Sequence, residues 1–285
     1  MPTLFRFFSV LPLWLLHGLG AAMGWLVFLV SGTYRRRFLH NARQAGYRFA
    51  QVRAAVGHAG RMVSELPRMW LQERPVPCEM VNAEAVARAW ERGRGIVFLT
   101  PHLGCFELSV QAAARRWSAE HGPITILYRP ARQAWLAQVM ATARNRPGVQ
   151  AVPTALSGVR QMIKALRRGE AVGLLPDQVP PEGLGLWSPF FGRDAYTMTL
   201  AARLVQQTGA SVIVARCERK PWGRGYVLYL EELPVSLSDS LETAVLQLNQ
   251  AMEHAIRQSP EQYLWGYARY KQPRAEQSAP GQGAA

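Results

Sequence analysis

The chain of 285 residues carries 33 lysines and arginines against 19 aspartates and glutamates, a formal net charge of +14. Its 49% hydrophobic content is sufficient for a sizeable core. Because its three cysteines, at positions 78, 105 and 217, are an odd number without metal-type spacing, neither a disulfide framework nor a zinc site is predicted.

A long apolar stretch lies near the amino terminus. Residues Phe7 to Val30 include no Asp, Glu, Lys or Arg, and a helix of this length can cross a hydrocarbon layer of about 30 Å. We therefore predict a membrane-anchor helix over residues 1–32. Since Pro12 and several glycines interrupt the stretch, a kinked, re-entrant or in-plane helix is an alternative, as is a buried core helix. A cleaved signal peptide is disfavoured, because its apolar core would be shorter.

Basic residues follow the apolar stretch directly. Arg35, Arg36 and Arg37 come just after it, and residues 1–75 hold ten arginines against two glutamates. The positive-inside tendency predicts that this cluster and the body of the protein lie on the cytoplasmic side. Such cations attract anionic lipid headgroups or an acidic carrier protein. Nucleic acid is not a predicted partner, because no nucleic-acid-binding motif accompanies the charge.

Helix-like and strand-like segments alternate beyond the anchor, which predicts an α/β fold over residues 33–272. Helices are predicted over 42–70, 83–92, 107–119, 131–143, 156–168, 196–207 and 241–257. Strands are predicted over 96–99, 124–128, 149–152, 171–175, 212–217 and 226–230. Residues 273–285 are small, polar and proline-containing, so we predict a disordered tail there.

A histidine and a carboxylate flank the turn after the strand predicted at 96–99. Pro101 disfavours helix before it, His102 lies in the loop, and Glu107 falls in the first turn of the next helix. A carboxylate that accepts a hydrogen bond from one imidazole nitrogen leaves the other free to take a proton from an alcohol. We therefore predict that Glu107 orients His102 as a general base for O-acyl transfer or hydrolysis. A solvated histidine beside a capping glutamate would show the same spacing.

Two further candidate positions follow predicted strands, where the ligand crevice of an α/β sheet forms. Arg129, after the strand at 124–128, suits a phosphate or a developing oxyanion, and equally a role in closing the loop. Asp177 and Gln178 follow the strand at 171–175. The Asp177 carboxylate can bind acceptor groups, pair with Arg129 or cap a turn.

A last group of candidates surrounds the predicted helix at 196–207. Phe190, Phe191 and Gly192 form either an apolar lip over a lipid chain or a packed loop. Thr197, like Thr199, contacts substrate or simply begins the helix. Cys105 is interpreted as a small buried apolar residue rather than a nucleophile paired with His102.

Taken in order, these residues resemble the bacterial late acyltransferases of lipid A biosynthesis, the lauroyl and myristoyl transferases related to glycerolipid acyltransferases. The likeness covers nearly the whole chain. Wider relatives often carry Asp where this chain has Glu107, and Glu is usual in the lipid A branch. The resemblance implies a glycerolipid-acyltransferase-like mixed sheet flanked by helices behind the anchor. It rests on the apolar segment with its arginines and on His102-Leu-Gly-Cys-Phe-Glu107, Tyr128-Arg-Pro130, Leu175-Pro-Asp-Gln178 and Phe190-Phe-Gly192.

The function implied by the resemblance is transfer of a fatty acyl group from acyl carrier protein, or acyl-coenzyme A, to a hydroxyl of a lipid A precursor. The reaction would take place at the cytoplasmic face of the bacterial inner membrane. His102 would be the general base and Glu107 its partner, without an acyl-enzyme, a metal or another cofactor. Arg129 would bind phosphate or stabilise charge, and Asp177 would contact the acceptor or the site's other groups.

Two alternatives stay open at this stage, because one fold hosts several activities. The first is the same chemistry with a lysophospholipid or aminolipid acceptor. The second is a membrane-bound thioesterase or a non-catalytic lipid-binding protein. The identity of the acceptor separates the first alternative from lipid A acylation. Water as the acceptor would indicate a thioesterase, and activity insensitive to the loss of both His102 and Glu107 would indicate the non-catalytic protein.

Overall fold

A seven-stranded mixed sheet covered by helices organises the protein, which the computed structural model describes over residues 2–72, 75–128 and 146–275, with side chains from residue 5 onward. The helices in these ranges are α1 (Pro2–Val10), α2 (Leu13–Val30), α3 (Gly32–Gln44), α4 (Phe49–Val52), α5 (Ala54–Ser64), α6 (Leu66–Leu71), α7 (Ala83–Glu91), α8 (Phe106–His121), α9 (Leu156–Arg167), α10 (Leu200–Thr208) and α11 (Leu241–Gln258). The strands are β1 (Cys78–Val81), β2 (Ile96–Leu99), β3 (Ile124–Tyr128), β4 (Val149–Pro153), β5 (Ala171–Leu174), β6 (Gly185–Phe190), β7 (Arg193–Met198), β8 (Ser211–Arg219) and β9 (Tyr226–Glu232).

The sheet has the strand order β1-β9-β8-β2-β5-β3-β4. All of its pairings are parallel except that of β8 with β9, and β6 and β7 form a separate antiparallel hairpin. Every residue of β2 is buried, as expected for a central parallel strand covered on both faces. The prediction of a mixed α/β sheet flanked by helices is confirmed.

The register between β2 and β5 positions the loops that follow them. Ile96 pairs with Ala171 and Leu99 pairs with Leu174, so the two strands end side by side. His102 and Asp177 each come three residues after the last pair. Because the carboxyl ends of parallel strands lie on one edge of the sheet, both residues lie at that edge.

Several element boundaries differ from the predictions. The helix predicted at 42–70 is divided into the end of α3 and α4, α5 and α6, with the first break near Gly46, whose φ is +88°. The helix predicted at 196–207 begins only at Leu200, because the preceding residues belong to β7 and pair with β6. Strand β1 and the β6–β7 hairpin were not predicted. The helix predicted at 131–143 and most of the predicted tail lie outside the described residues.

Two helices, rather than one, form the apolar amino-terminal segment. Leu11 and Pro12 separate α1 from α2. Among the described residues, α2 is the one helix with the length and apolar composition needed to cross a membrane, and about a third of it is buried within the protein. Its other side exposes large apolar side chains, including Trp14, Leu26 and Leu29.

Glycines bring α2 into backbone contact with α5. A Cβ atom added at Gly60 would lie 1.8 Å from the carbonyl oxygen of Gly20, and one added at Gly24 would lie 2.2 Å from that of Val56. The Ser64 hydroxyl also donates a hydrogen bond to the Leu16 carbonyl at 2.7 Å. Small residues at such crossings let two helices pack closely. The apolar helix α2 is therefore fixed firmly against the rest of the protein.

We predict that Gly60→Ala lowers the free energy of unfolding by about 1–3 kcal/mol, because α2 and α5 must separate to admit the methyl group. Gly18→Ala is the matched control, since a Cβ added at Gly18 meets no atom within 4 Å. That variant should be neutral or more stable by about 0.5–1 kcal/mol, because alanine favours helix over glycine. Thermal unfolding in detergent, followed by circular dichroism, measures both. Equal melting temperatures for the two variants would contradict the close crossing.

Candidate active site

A histidine held by a buried aspartate lies at the carboxyl edge of the sheet. His102 Nδ1 and Asp177 Oδ1 are 2.7 Å apart, and the His102 backbone N–H donates to Asp177 Oδ2 at 2.9 Å. The Asp177 side chain is 2% exposed and that of His102 is 16% exposed. The carboxylate therefore accepts two hydrogen bonds from one residue and is almost completely shielded from solvent.

The environment of Asp177 favours its ionised form. Burial by itself raises the pKa of this carboxyl, but the charge of His102, the hydrogen bonds from its ring and backbone and the charge of Arg269 outweigh burial and lower the pKa below its usual range. An ionised carboxylate can only accept hydrogen bonds, so Nδ1 of His102 carries the proton. When this ring is neutral, its lone pair is therefore on Nε2, which is the arrangement that a general base needs.

Glu107 does not hold the position predicted from its spacing. The carboxylate on the His102 ring is that of Asp177, and Glu107 Oε2 accepts a hydrogen bond from Trp70 Nε1 at 3.2 Å. The predicted orienting partner is therefore corrected from Glu107 to Asp177. The physical reason is the alignment of β2 with β5, which brings Asp177 directly against His102. Glu107 remains in the site, on the wall of the cavity described next.

A cavity of about 910 Å³ opens beside His102. Polar side chains on its walls include Thr100, Glu107, Gln178 and Arg203. The remaining walls come mainly from strands β2, β3, β5 and β9 and helices α8 and α9, and their side chains are largely apolar. They include Phe98, Val110, Ile126, Leu127, Val159 and Leu228. A mostly apolar cavity with a few polar groups suits an aliphatic ligand with a polar head.

The other residues considered in the sequence analysis differ in where the structure places them. Gln178 lines the cavity, and so does Thr199. Arg129 lies outside the described residues. The thiol of Cys105 is buried, and burial together with the nearby Glu65 charge raises its pKa well above the usual range. This inert environment agrees with the interpretation of Cys105 as a buried apolar residue.

The predicted lip residues and Thr197 lie away from the cavity lining. Phe190 and Phe191 are buried in the core, and Gly192 forms the turn between β6 and β7 with φ +73°. This arrangement corresponds to the packed-loop alternative rather than to a lip over a lipid chain. Thr197 is buried in β7, where its hydroxyl bonds to Asn249 and accepts a hydrogen bond from Arg269 Nη2 at 2.6 Å. Its substrate-binding role stays a prediction that this placement does not support.

The loop that carries His102 is held by two distant parts of the chain. The amide of Gly104 donates to the Gln262 carbonyl at 3.1 Å, and the amide of Cys105 donates to the Cys217 carbonyl at 2.8 Å. Gly104 has φ +56°, and a Cβ atom there would lie 1.9 Å from the Cys217 carbonyl oxygen. The position therefore requires glycine, which explains why a Gly stands in the middle of the motif.

A buried charged cluster, missed in the sequence, lies behind this loop. Arg219 binds Glu65 through two hydrogen bonds, Nε to Oε2 at 2.9 Å and Nη2 to Oε1 at 2.5 Å. Tyr226 donates to Glu65 Oε2 at 2.9 Å, and His17 Nε2 lies 3.2 Å from the same oxygen. We call these four residues the Glu65–Arg219 cluster. Burial alone raises the pKa of Glu65, but the charge of Arg219 and the hydrogen bonds with His17 and Arg219 outweigh it and lower the pKa to about 2.

His58 lies next to the cluster, and two guanidinium groups face its ring. Arg61 Nη1 is 2.9 Å from Nε2, and Arg219 Nη1 is 3.3 Å from Nδ1. Burial first, then the charges of Arg219 and Arg61, lower the pKa of His58 from 6.5 to about 2, with a smaller contribution from His17. The Glu65 charge opposes the shift. The folded protein therefore keeps this imidazole neutral at any ordinary pH.

Because the pKa of His58 is lowered, we predict that the free energy of unfolding depends on pH. Between pH 6.5 and about 4.5 the unfolded chain binds a proton at His58 that the folded protein excludes. The free energy of unfolding should therefore fall as pH decreases, and His58 should contribute about 1.4 kcal/mol per pH unit. Replacing His58 with Gln should flatten the curve in this window. Urea unfolding in detergent at several pH values measures the slope.

The control for this prediction is His254→Gln. The side chain of His254 is 63% exposed and contacts Glu231 at 3.4 Å, so this variant removes an imidazole from the surface rather than from the buried position. The variant should keep the wild-type slope. A slope that stays unchanged in His58→Gln, or that changes equally in both variants, would refute the assignment to His58.

The sequence is similar to bacterial acyltransferases of lipid A biosynthesis over most of its length. The family model described as bacterial lipid A biosynthesis acyltransferase matches residues 8–272. A lipid A biosynthesis lauroyltransferase of Escherichia coli (strain K12) is 28% identical over 197 residues, which cover 68% of this chain and 61% of that protein. A lipid A biosynthesis palmitoleoyltransferase of the same organism is 26% identical over 194 residues, again 68% and 61%.

A relative of lower identity aligns with a larger part of this chain. A lipid A biosynthesis acyltransferase of Haemophilus influenzae is 23% identical over 216 residues, which cover 76% of this chain and 64% of that protein. The chain thus spans between 61% and 64% of the length of these three curated relatives.

Proposed function

Because this chain belongs to the bacterial lipid A biosynthesis acyltransferase family, we propose that it transfers a fatty acyl group from acyl carrier protein, or acyl-coenzyme A, to a hydroxyl of a lipid A precursor. The observation that carries the proposal is His102, whose Nδ1 is held by buried Asp177 on the wall of a largely apolar cavity of about 910 Å³. The names of the relatives, which specify lauroyl and palmitoleoyl groups, support a fatty acyl donor.

The proposed reaction is a direct transfer with His102 as general base. Nε2 takes the proton of the acceptor hydroxyl while its oxygen attacks the thioester carbonyl, and a tetrahedral oxyanion forms. Collapse of this intermediate breaks the C–S bond, and the proton moves from His102 to the departing thiolate. Asp177 stabilises the imidazolium in between and keeps the ring orientation. The sequence of steps needs no acyl-enzyme.

The remaining site residues receive roles consistent with their positions. Glu107 is the second carboxylate at the cavity wall, where Trp70 fixes its orientation, and we propose that it positions the acceptor beside His102. Gln178 contacts the substrate head from the opposite loop. Arg129 stays our candidate for a substrate phosphate or the developing oxyanion, on the strength of the family resemblance. The apolar walls of the cavity take the acyl chain.

Attachment to the inner membrane through α2 is part of the proposal. Support comes from the apolar side chains that α2 exposes and from Arg35, Arg36 and Arg37, which follow directly in α3. A basic segment beside an apolar helix attracts anionic lipids and favours the cytoplasmic side. A site on that side would meet both the lipid acceptor and a soluble thioester.

The preference for acyl carrier protein is supported by a basic surface next to the cavity. Leu156 and Val159, in the first turn of α9, line the cavity. The same helix exposes Arg160, Lys164 and Arg167, and its sequence contains no acidic residue. A positive face beside the cavity would steer an acidic carrier toward the site.

Variants of the His102–Asp177 pair test the proposed mechanism. His102→Ala should show no acyl transfer above background, because the base is gone. Asp177→Asn should lower kcat by about 10²–10⁴-fold, because an amide neither fixes the tautomer nor stabilises the imidazolium. Asp194→Asn, at an exposed aspartate of the β6–β7 hairpin, is the matched control and should keep wild-type kcat. Transfer is measured on purified protein with an acyl thioester and lipid A precursor.

Near-normal turnover of His102→Ala would refute the mechanism. The acceptor is identified separately, by mass spectrometry of lipid A and phospholipid from cells with and without the gene. Loss of one acyl chain from lipid A is expected. Loss of an acyl chain from phospholipid or aminolipid instead would identify that lipid, rather than lipid A, as the acceptor. Release of free fatty acid with no acylated lipid would indicate a thioesterase.

Salt dependence tests the choice of donor. With acyl carrier protein as donor, kcat/KM should fall steeply between low and physiological salt, because screening weakens steering by exposed charges. The control donor is an acyl-pantetheine thioester, which carries the same acyl chain without the carrier protein. Its kcat/KM should depend much less on salt. Equal salt dependence of the two donors would remove the electrostatic docking of a carrier protein from the proposal.

A further inference from the structure

The Glu65–Arg219 cluster makes direct contact with the loop that carries His102. Arg219 Nη2, besides binding Glu65, donates to the carbonyl oxygen of Gly104 at 2.7 Å. The Arg219 amide donates to the Gln262 side chain at 2.9 Å, and the Gln262 carbonyl accepts from the Gly104 amide. Gly104 lies two residues after His102. Its carbonyl is thus held by Arg219 at the end of β8, and its amide is held by Gln262, which Arg219 also contacts.

The geometry uses the particular shape of an arginine. The guanidinium of Arg219 donates from Nε and Nη2 to the two carboxylate oxygens of Glu65 and, from Nη2 again, to Gly104. Its planar, rigid fork allows these bonds to be made together. A lysine has a single nitrogen and cannot bind both Glu65 oxygens and the Gly104 carbonyl in the same geometry.

Stability alone is a weak reason for this arrangement. The side chains of Arg219 and Glu65 are 1% and 2% exposed, and removing two charges from water costs several kcal/mol per ion. Apolar side chains of similar volume often replace such pairs without loss of stability. The pair instead provides directional contacts that an apolar pair cannot, and one of these ends on the His102 loop.

We propose that Arg219 and Glu65 are positioning residues for acyl transfer. Glu65 orients the Arg219 guanidinium, Arg219 holds the Gly104 carbonyl, and the loop between β2 and α8 is thereby fixed so that Nε2 of His102 faces the cavity. His17, in the apolar helix α2, contacts the same Glu65 oxygen, so the packing of α2 contributes to the position of this loop. The inference rests on the proposed function for its kinetic test.

Kinetics of Arg219→Lys form the main experiment, with the acyl-pantetheine donor and the lipid A precursor. We expect kcat to fall at least about tenfold, because misplacing a catalytic group by about 1 Å can cost up to about 100-fold. KM should change by less than about twofold, since Arg219 does not line the cavity. Glu65→Gln should show the same pattern.

The matched control is Arg216→Lys. Arg216 lies on the same strand and forms ion pairs with Glu218 and Glu231, at 3.0 and 3.1 Å. This variant disturbs a partly buried cation of β8 without removing the bond to Gly104. It should keep wild-type kcat even if its melting temperature drops as much as that of Arg219→Lys.

Hydrogen–deuterium exchange supplies a readout that does not depend on the reaction. The Gly104 and Cys105 amides should exchange faster in Arg219→Lys than in wild type or Arg216→Lys. Unchanged kcat and unchanged exchange in Arg219→Lys would overturn the inference, as would an equal loss of kcat in Arg216→Lys. Absence of acyl transfer in the wild type would refute the proposed function instead, and the exchange result would still decide the positioning role.

Tyr226→Phe is a milder variant, because it removes one hydrogen bond to Glu65 and no charge. If Arg219→Lys does not fold, this variant carries the test with the same readouts. We then expect a smaller fall in kcat with unchanged KM and faster exchange at Gly104. Wild-type values for all three quantities would overturn the inference.

Discussion

The hydrogen bond between His102 Nδ1 and Asp177 depends on the register of two buried strands. β2 and β5 are adjacent and parallel, and their aligned ends place each residue three positions beyond the last pair, Leu99 and Leu174. A slip of one residue would turn every side chain of a strand to the opposite face of the sheet. The apolar core therefore does more than stabilise the protein, because it sets the distance between the His102 ring and the Asp177 carboxylate.

The loop between β2 and α8 depends on contacts that come from far away in the chain. Cys217 and Arg219 of β8 reach it from one side, and Gln262 and Leu264 reach it from the carboxyl-terminal segment. Since β8 pairs with β2 and extends beyond its end, it carries these groups past the edge of the sheet. A short loop with a glycine of positive φ is thus given one conformation by its surroundings rather than by its own sequence.

Local patterns predicted the parts of the site that are local in the chain. The apolar run of β2, the turn after Pro101 and the helix that follows fix where His102 stands, and all three are visible in the sequence. The partner of His102 was mispredicted because Glu107 is close in sequence, whereas Asp177 is close only once β2 and β5 are known to be neighbours. Spacing along one chain segment contains no information about strand order.

Residues with no local signature were missed for the same reason. Glu65 belongs to an ordinary helical pattern and Arg219 to the end of a strand, 154 positions later, so nothing in either segment indicates a buried pair. The threonine at 197 was assigned to a helix because its neighbours favour helix, and pairing with β6 outweighed that preference.

The position of α2 connects these observations to the amino-terminal segment. A helix that only attached the protein to a bilayer would need few contacts with the rest of the chain, and the close crossing at Gly20, Gly24 and Gly60 would have no purpose. His17 adds a polar contact from the same helix to Glu65, which in turn binds Arg219. The boundary drawn at residue 32 from composition therefore separates two segments that share a buried polar cluster. A continuous series of hydrogen bonds, from His17 through Glu65 and Arg219 to Gly104, thus connects α2 with the loop that carries His102.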